Sequence, residues 1–134
     1  MSDRRLRVAI LVLSVLGAGI AAYLTAAHLA DAPLLCATGG CETVQRSRYA
    51  ELAGMPVASL GLAGYVAIAA TAAARGELWR AAGFVLALGG LAFAGYLVWV
   101  QVGVLDAICQ WCLSSDAILV LLVPATLLRL RDSR

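Results

Sequence analysis

The sequence predicts an all-α integral membrane protein, a bundle of four transmembrane helices with an extracytoplasmic loop and a short amphipathic helix between the first and second. Three observations predict it. Hydrophobic residues fill 63% of the 134 positions and charged residues only 13%, against about 25% charged in an ordinary soluble domain, and the mean hydropathy is +0.91. Four stretches come close to or exceed the roughly 20 apolar residues that cross a bilayer. The few charges are sorted by segment instead of being spread along the chain. A chain of this length makes one membrane domain, residues 1–134.

The first span, 8–30, follows Arg4, Arg5 and Arg7. It is longer than the apolar core of a cleaved signal peptide, about 7 to 15 residues. It therefore reads as a retained helix, despite the small-x-small triplet Ala30-Asp31-Ala32. The second span, 56–74, and the third, 81–105, hold no charged residue, and the fourth, 107–128, holds only Asp116. In lipid such segments must be helical, because a helix satisfies its own backbone hydrogen bonds. Pro124 is expected to kink the fourth helix. Glycines such as Gly61, Gly64, Gly89 and Gly90 read as close helix packing.

Every basic residue is an arginine. Arg4, Arg5, Arg7, Arg75, Arg80, Arg129, Arg131 and Arg134 fall on one side of the predicted spans, and only Arg46 and Arg48 on the other. Because basic flanks stay inside, both termini are expected in the cytoplasm of a bacterial cell, with the chain in its inner membrane and all four cysteines at the outer face. The net charge of +2 thus reports topology and gives no support to nucleic-acid binding. The outer face is the oxidising side, where disulfides form and persist.

The only sizeable hydrophilic segment is the outer loop, 31–55, which carries Cys36 and Cys41 around a Thr38-Gly39-Gly40 turn. After it, Val44, Ser47, Tyr49, Ala50 and Leu52 are spaced for a short helix lying on the membrane, with Arg46, Arg48 and Glu51 toward water. Gly54 and Pro56 end that helix and open the second span. Before the fourth span, Asp106 reads as an N-cap, which puts Cys109 at the third helical position and Cys112 one turn on. Free amides and the positive end of the helix dipole stabilise thiolates there.

Asp116 lies four residues after Cys112 and so one turn deeper on the same face; an ionisable group inside a span is a functional candidate by default. It is a candidate for proton transfer or for a hydrogen bond to a ligand, and satisfaction by Ser114 or Ser115 is the plainer reading. Tyr65 and Tyr96 are placed to line a pocket. Trp99 and Trp111, with Tyr23 and Tyr49, fit an outer aromatic belt, and Trp79 an inner one. His28 reads as a snorkelling interfacial group.

Four cysteines allow three pairings. The two pairs admit a redox relay, two structural disulfides or a four-thiolate zinc site. A Cys-x-x-Cys at a helix start strains a structural bridge and suits exchange, and an oxidising location favours disulfides over zinc thiolates.

The run Cys36-x4-Cys41-Glu42-Thr43-Val44-Gln45-x-Ser47-x-Tyr49-Ala50, then Gly54-Met55-Pro56-Val57-Ala58, Gly61-Leu62-x-Gly64-Tyr65, and Cys109-x-x-Cys112 opening the last helix, resembles the bacterial vitamin K epoxide reductase family. The resemblance implies a four-helix bundle around a quinone, ubiquinone or menaquinone, as electron acceptor. It implies that Cys36 exchanges with a reduced thioredoxin-like (DsbA-like) protein, that Cys41 passes electrons to Cys109, and that Cys112 is the thiolate that meets the quinone, with Ser47 close to the relay. Tyr65, Trp111 and Asp116 are the further quinone-binding or proton-transfer candidates, and no metal is expected.

Many bacterial members carry a fused thioredoxin-like domain after the last helix. This sequence ends at Arg134, so a separate extracytoplasmic partner is expected. Animal relatives place a tyrosine where Asp116 stands, which leaves the head-group contact open. The implied function is oxidation of protein thiols outside the cytoplasm. A DsbB-type oxidase is the nearest alternative, but there the Cys-x-x-Cys typically precedes the wider pair; a membrane protein with static disulfides is the alternative outside enzymes.

Overall fold

The computed structural model describes residues 3–30, 51–52, 55–104 and 110–132. The expected features in 31–50, namely Cys36, Cys41, Ser47 and most of the amphipathic helix, lie outside these residues, as do the Asp106 cap and Cys109. The His28 side chain also lies outside the description.

Helix α1 spans Asp3–Ala30. Its buried residues are Leu6, Ile10, Ser14, Gly17, Ala21, Leu24 and Ala27, spaced by three and four so that one stripe faces the bundle. The opposite face exposes Val8, Val12, Val15 and Leu16. A helix apolar on all sides belongs in a membrane when its outer face is not covered by protein.

Glu51–Leu52 (β1) and Met55–Pro56 (β2) form a short antiparallel ladder, with Glu51 opposite Pro56 and Leu52 opposite Met55. This corrects the reading of Leu52 as helical. Pro56 ends the ladder, having no N–H to extend it, and helix α2, Val57–Ala73, begins at the next residue. At 17 residues, α2 is about 25 Å long and sits at the lower limit for a span.

The link to α3 turns at Gly76, whose φ of 123° belongs to a region that side chains with a Cβ rarely adopt. Helix α3, Glu77–Trp99, starts earlier than the charge-free stretch suggested, because Glu77 is favourable at the positive end of the helix dipole. It continues into a π-helical turn, Val100–Val104. Helix α4, Gln110–Asp132, runs through Pro124. Among the described residues, three segments are long and apolar enough to cross a membrane: α1, α3 with its π turn, and α4.

The helices alternate in direction. α1 packs on α2 and α4, and α3 packs on α4 and α2, around a core of Ile10, Ala21, Tyr65, Ile68, Ala72, Ala87, Ala94, Leu119 and Leu122. Small residues permit close approach: a Cβ added at Gly83 would stand 2.8 Å from Thr71 Oγ1, and one at Gly90 3.2 Å from Leu119 Cδ2.

One end of the bundle, here the arginine end, is held by guanidinium groups. The last carbonyls of α2 have no partner within their own helix. Arg129 donates to the carbonyls of Thr71 and Ala74, both at 3.0 Å, and Arg7 to those of Ala72 and Ala73, at 3.0 and 3.4 Å. Arg80 donates to the Arg129 carbonyl at 2.7 Å and pairs with Asp3 at 3.0 Å. Asp3 also lies 3.6 Å from Arg129 Nε. All four helices thus meet in one ionic clasp.

Candidate site at the first turns of α4

The opposite, cysteine end is organised by α4. Trp111, Ser115, Leu119, Leu122, Thr126 and Arg129 recur at spacings of three and four and turn toward the bundle, the last four buried. Cys112 and Asp116 each follow a residue of that stripe and so lie about 100° further round the helix. Both are half-buried, and one Asp116 carboxylate oxygen, Oδ2, is shut off from solvent. The sulfur and the carboxylate therefore share a flank of α4, one turn apart.

Two contacts hold this segment. Tyr23 of α1 meets Trp111 edge-on, with ring centroids 5.1 Å apart and planes at 61°, a favoured aromatic arrangement. One turn deeper, the Tyr65 hydroxyl of α2 donates to the Ser115 carbonyl at 2.8 Å and shares a 2.6 Å hydrogen bond with Ser115 Oγ. As its single proton goes to the carbonyl, the Ser115 hydroxyl is the donor in the second bond. Tyr65 is 3% exposed, and its ring lies against Gly17, where an added Cβ would overlap it. Gly17, Tyr65 and Ser115 thereby lock α1, α2 and α4 at one level. Asp116, the next residue, interacts electrostatically with the same phenol. Ser114 is occupied locally, donating to the Gln110 carbonyl at 2.8 Å.

Of the residues singled out in the sequence, Cys112, Trp111, Asp116 and Tyr65 come together here. Tyr96 instead faces outward with Phe93 and Trp99, in a ladder of rings 6.0 and 6.3 Å apart. Charge counting passes over Gln101. It is 1% exposed in the π turn of α3, and a polar amide inside an apolar span is the signal that could have found it.

The profile of the vitamin K epoxide reductase family matches residues 8–127, which run from the second turn of α1 to within five residues of the end of α4. The chain belongs to the vitamin K epoxide reductase family. As a family member it is a multi-pass membrane oxidoreductase, from a family that uses quinones and typically works with thioredoxin-like partners. The α4 segment described above, with Cys112 in its first turn, lies within the matched region.

Proposed function

We propose that this member of the vitamin K epoxide reductase family passes electrons from an extracytoplasmic thioredoxin-like dithiol, through two cysteine pairs, to a membrane quinone, and so supports disulfide formation outside the cytoplasm. The observation that carries the reading is Cys112 on a half-buried flank of α4, one turn from a partly sequestered carboxylate and braced by two interhelical contacts.

In this scheme the arginine end lies in the cytoplasm of a bacterial cell and the cysteine end faces outward. The partner's dithiol reduces the Cys36–Cys41 disulfide by exchange through a mixed disulfide at Cys36. Cys41 then attacks Cys109 and reduces the second pair. The Cys112 thiolate meets the quinone, and the Cys109 and Cys112 thiols together give up two electrons and two protons, leaving a disulfide and a quinol. Ser47 stands near the relay, Trp111 walls the reacting sulfur, and Asp116 hydrogen-bonds the head group or moves a proton. Tyr65 contributes by fixing Ser115, and with it the neighbouring turn of α4. The quinone is ubiquinone or menaquinone.

The test is turnover of the purified protein in detergent with reduced thioredoxin and decylubiquinone. Wild type forms quinol continuously, Cys112→Ala does not, and Cys36→Ala fails with thioredoxin but works with a small dithiol. Absence of quinol from the wild type, with both decylubiquinone and a menaquinone analogue, refutes the reading.

A further inference from the structure

We propose that the arginine end of the bundle is a docking surface for anionic phospholipid, with the exposed guanidinium groups of Arg4, Arg75 and Arg131 taking the lipid phosphates. The inference rests on the chain's being a membrane protein and stands apart from the electron path proposed above.

Three observations carry it. First, the arginines at this end fall into two sets. Arg7, Arg80 and Arg129 turn inward and spend their donors on helix carbonyls and on Asp3. Arg4, Arg75 and Arg131 are exposed, and among the described residues none of these three has a hydrogen bond or an ion pair. Each stands close to the clasp in sequence. Arg4 follows Asp3, Arg75 follows Ala74, whose carbonyl Arg129 holds, and Arg131 comes two residues after Arg129. The clasp is thus flanked by one free guanidinium on α1, one on the α2–α3 link and one on α4.

Second, each of these arginines stands about one turn beyond an exposed apolar residue of a span. On α1, Arg4 precedes Val8 by four residues, and on α4, Arg131 follows Leu128 and Leu127 by three and four, so each group shares a helix face. Arg75 precedes the exposed Leu78 and Trp79 by three and four, across the turn at Gly76. The Trp79 ring lies against that turn, its Cδ1 3.8 Å from a Cβ built on Gly76, and an indole exposed at the end of a span belongs at the membrane–water interface. A guanidinium one helical turn, about 5.4 Å, outside the last lipid-facing side chain lies at headgroup depth. It also lies on the flank that lipid covers, which favours a phospholipid over a soluble acidic partner approaching from the water.

Third, α2 is short. Its 17 residues reach about 25 Å, against a hydrocarbon core of about 30 Å. A short span is accommodated by local thinning of the bilayer and by flanking side chains that reach for the interface. Both bring the headgroup layer onto Arg75, two residues past the end of α2.

Charge selects the class of lipid. Among the described residues this end carries seven arginines against three carboxylates. A zwitterionic headgroup brings its own cation with its phosphate and leaves that excess in place, whereas an anionic one neutralises it. Guanidinium and phosphate also match in shape, through paired N–H donors.

The experiment incubates delipidated protein in neutral detergent with equimolar phosphatidylglycerol and phosphatidylcholine of identical acyl chains and counts the bound lipids by native mass spectrometry. Wild type is compared with Arg4→Gln/Arg75→Gln/Arg131→Gln, and the thermal midpoint of each is measured without lipid. The expected result is a preference of wild type for phosphatidylglycerol of about fivefold, the worth of one arginine against an anionic surface. It falls to near parity in the glutamine variant, whose midpoint without lipid stays that of wild type. Equal binding of the two lipids by wild type overturns the proposal, and so does a preference that survives in the variant. Inorganic phosphate that displaces phosphatidylglycerol as well as the lipid displaces itself assigns the groups to a soluble anion and overturns it too. A variant that fails to fold counts against it in the same way, because it shows that these arginines hold the bundle.

Discussion

At the arginine end three guanidinium groups close on the carbonyls of Thr71, Ala72, Ala73 and Ala74 and on Asp3, whereas at the cysteine end Cys112 and Asp116 share a half-buried flank of α4. The first arrangement spends its hydrogen-bonding capacity on the protein itself. The second holds the first turns of α4 from behind, through Tyr23 and Tyr65, and leaves the Cys112 sulfur on a flank. Under the proposed function stability belongs to one end and chemistry to the other, so substitutions at the two ends are expected to separate the two properties.

Arg129→Ala is the strongest way to break the comparison. Arg129 is 3% exposed, and its loss strands the buried Thr71 carbonyl and the part-buried Ala74 carbonyl and removes one of Asp3's two arginine contacts. Removing one partner of a buried charged network costs about 3–5 kcal/mol, read as a large fall in thermal midpoint, while the protein that remains folded keeps the wild-type KM for quinone. A changed KM would show that the two ends are coupled. Gly17→Ala is next: its Cβ overlaps the Tyr65 ring, and overpacking costs about 1–3 kcal/mol. Because the ring it displaces holds Ser115, this change lowers both the midpoint and quinol formation. Tyr65→Phe is the smallest in stability, about 1 kcal/mol for the lost hydrogen bonds, yet it loosens the turn next to Cys112. Its kcat is expected to fall several-fold with the thioredoxin KM unchanged, and an unchanged kcat would leave the Tyr65–Ser115 contact without a part in the chemistry.

Much of the fold is legible in the sequence, because hydropathy and charge act locally along a helix. The long apolar runs locate the spans, and the four-residue spacing of Cys112 and Asp116 is enough to put them one turn apart on a shared flank. The ends of the helices are less legible. Runs of uncharged residues mark the start of α3 too late, since Glu77 and Arg80 belong to its first turn, and Leu52 pairs with Met55 in a strand ladder instead of joining a helix. Counted along the chain, the arginines report orientation alone. That Arg7 and Arg129 fold inward onto α2 depends on which carbonyls the packing brings near, a fact of tertiary structure. Gln101 escapes notice because a count of charges passes over an uncharged amide, although its polarity within an apolar span is visible in the sequence; its burial is a fact of packing.

The most direct measurement isolates the cysteine end. A Cys36→Ala/Cys41→Ala double variant, reduced with a small dithiol, freed of it and mixed with decylubiquinone, retains only Cys109 and Cys112 as electron donors. One quinol per chain, with a disulfide formed between those two residues and none formed when Cys112 is also replaced by alanine, is the result this account predicts. A protein that keeps both thiols reduced in the presence of excess quinone would contradict it.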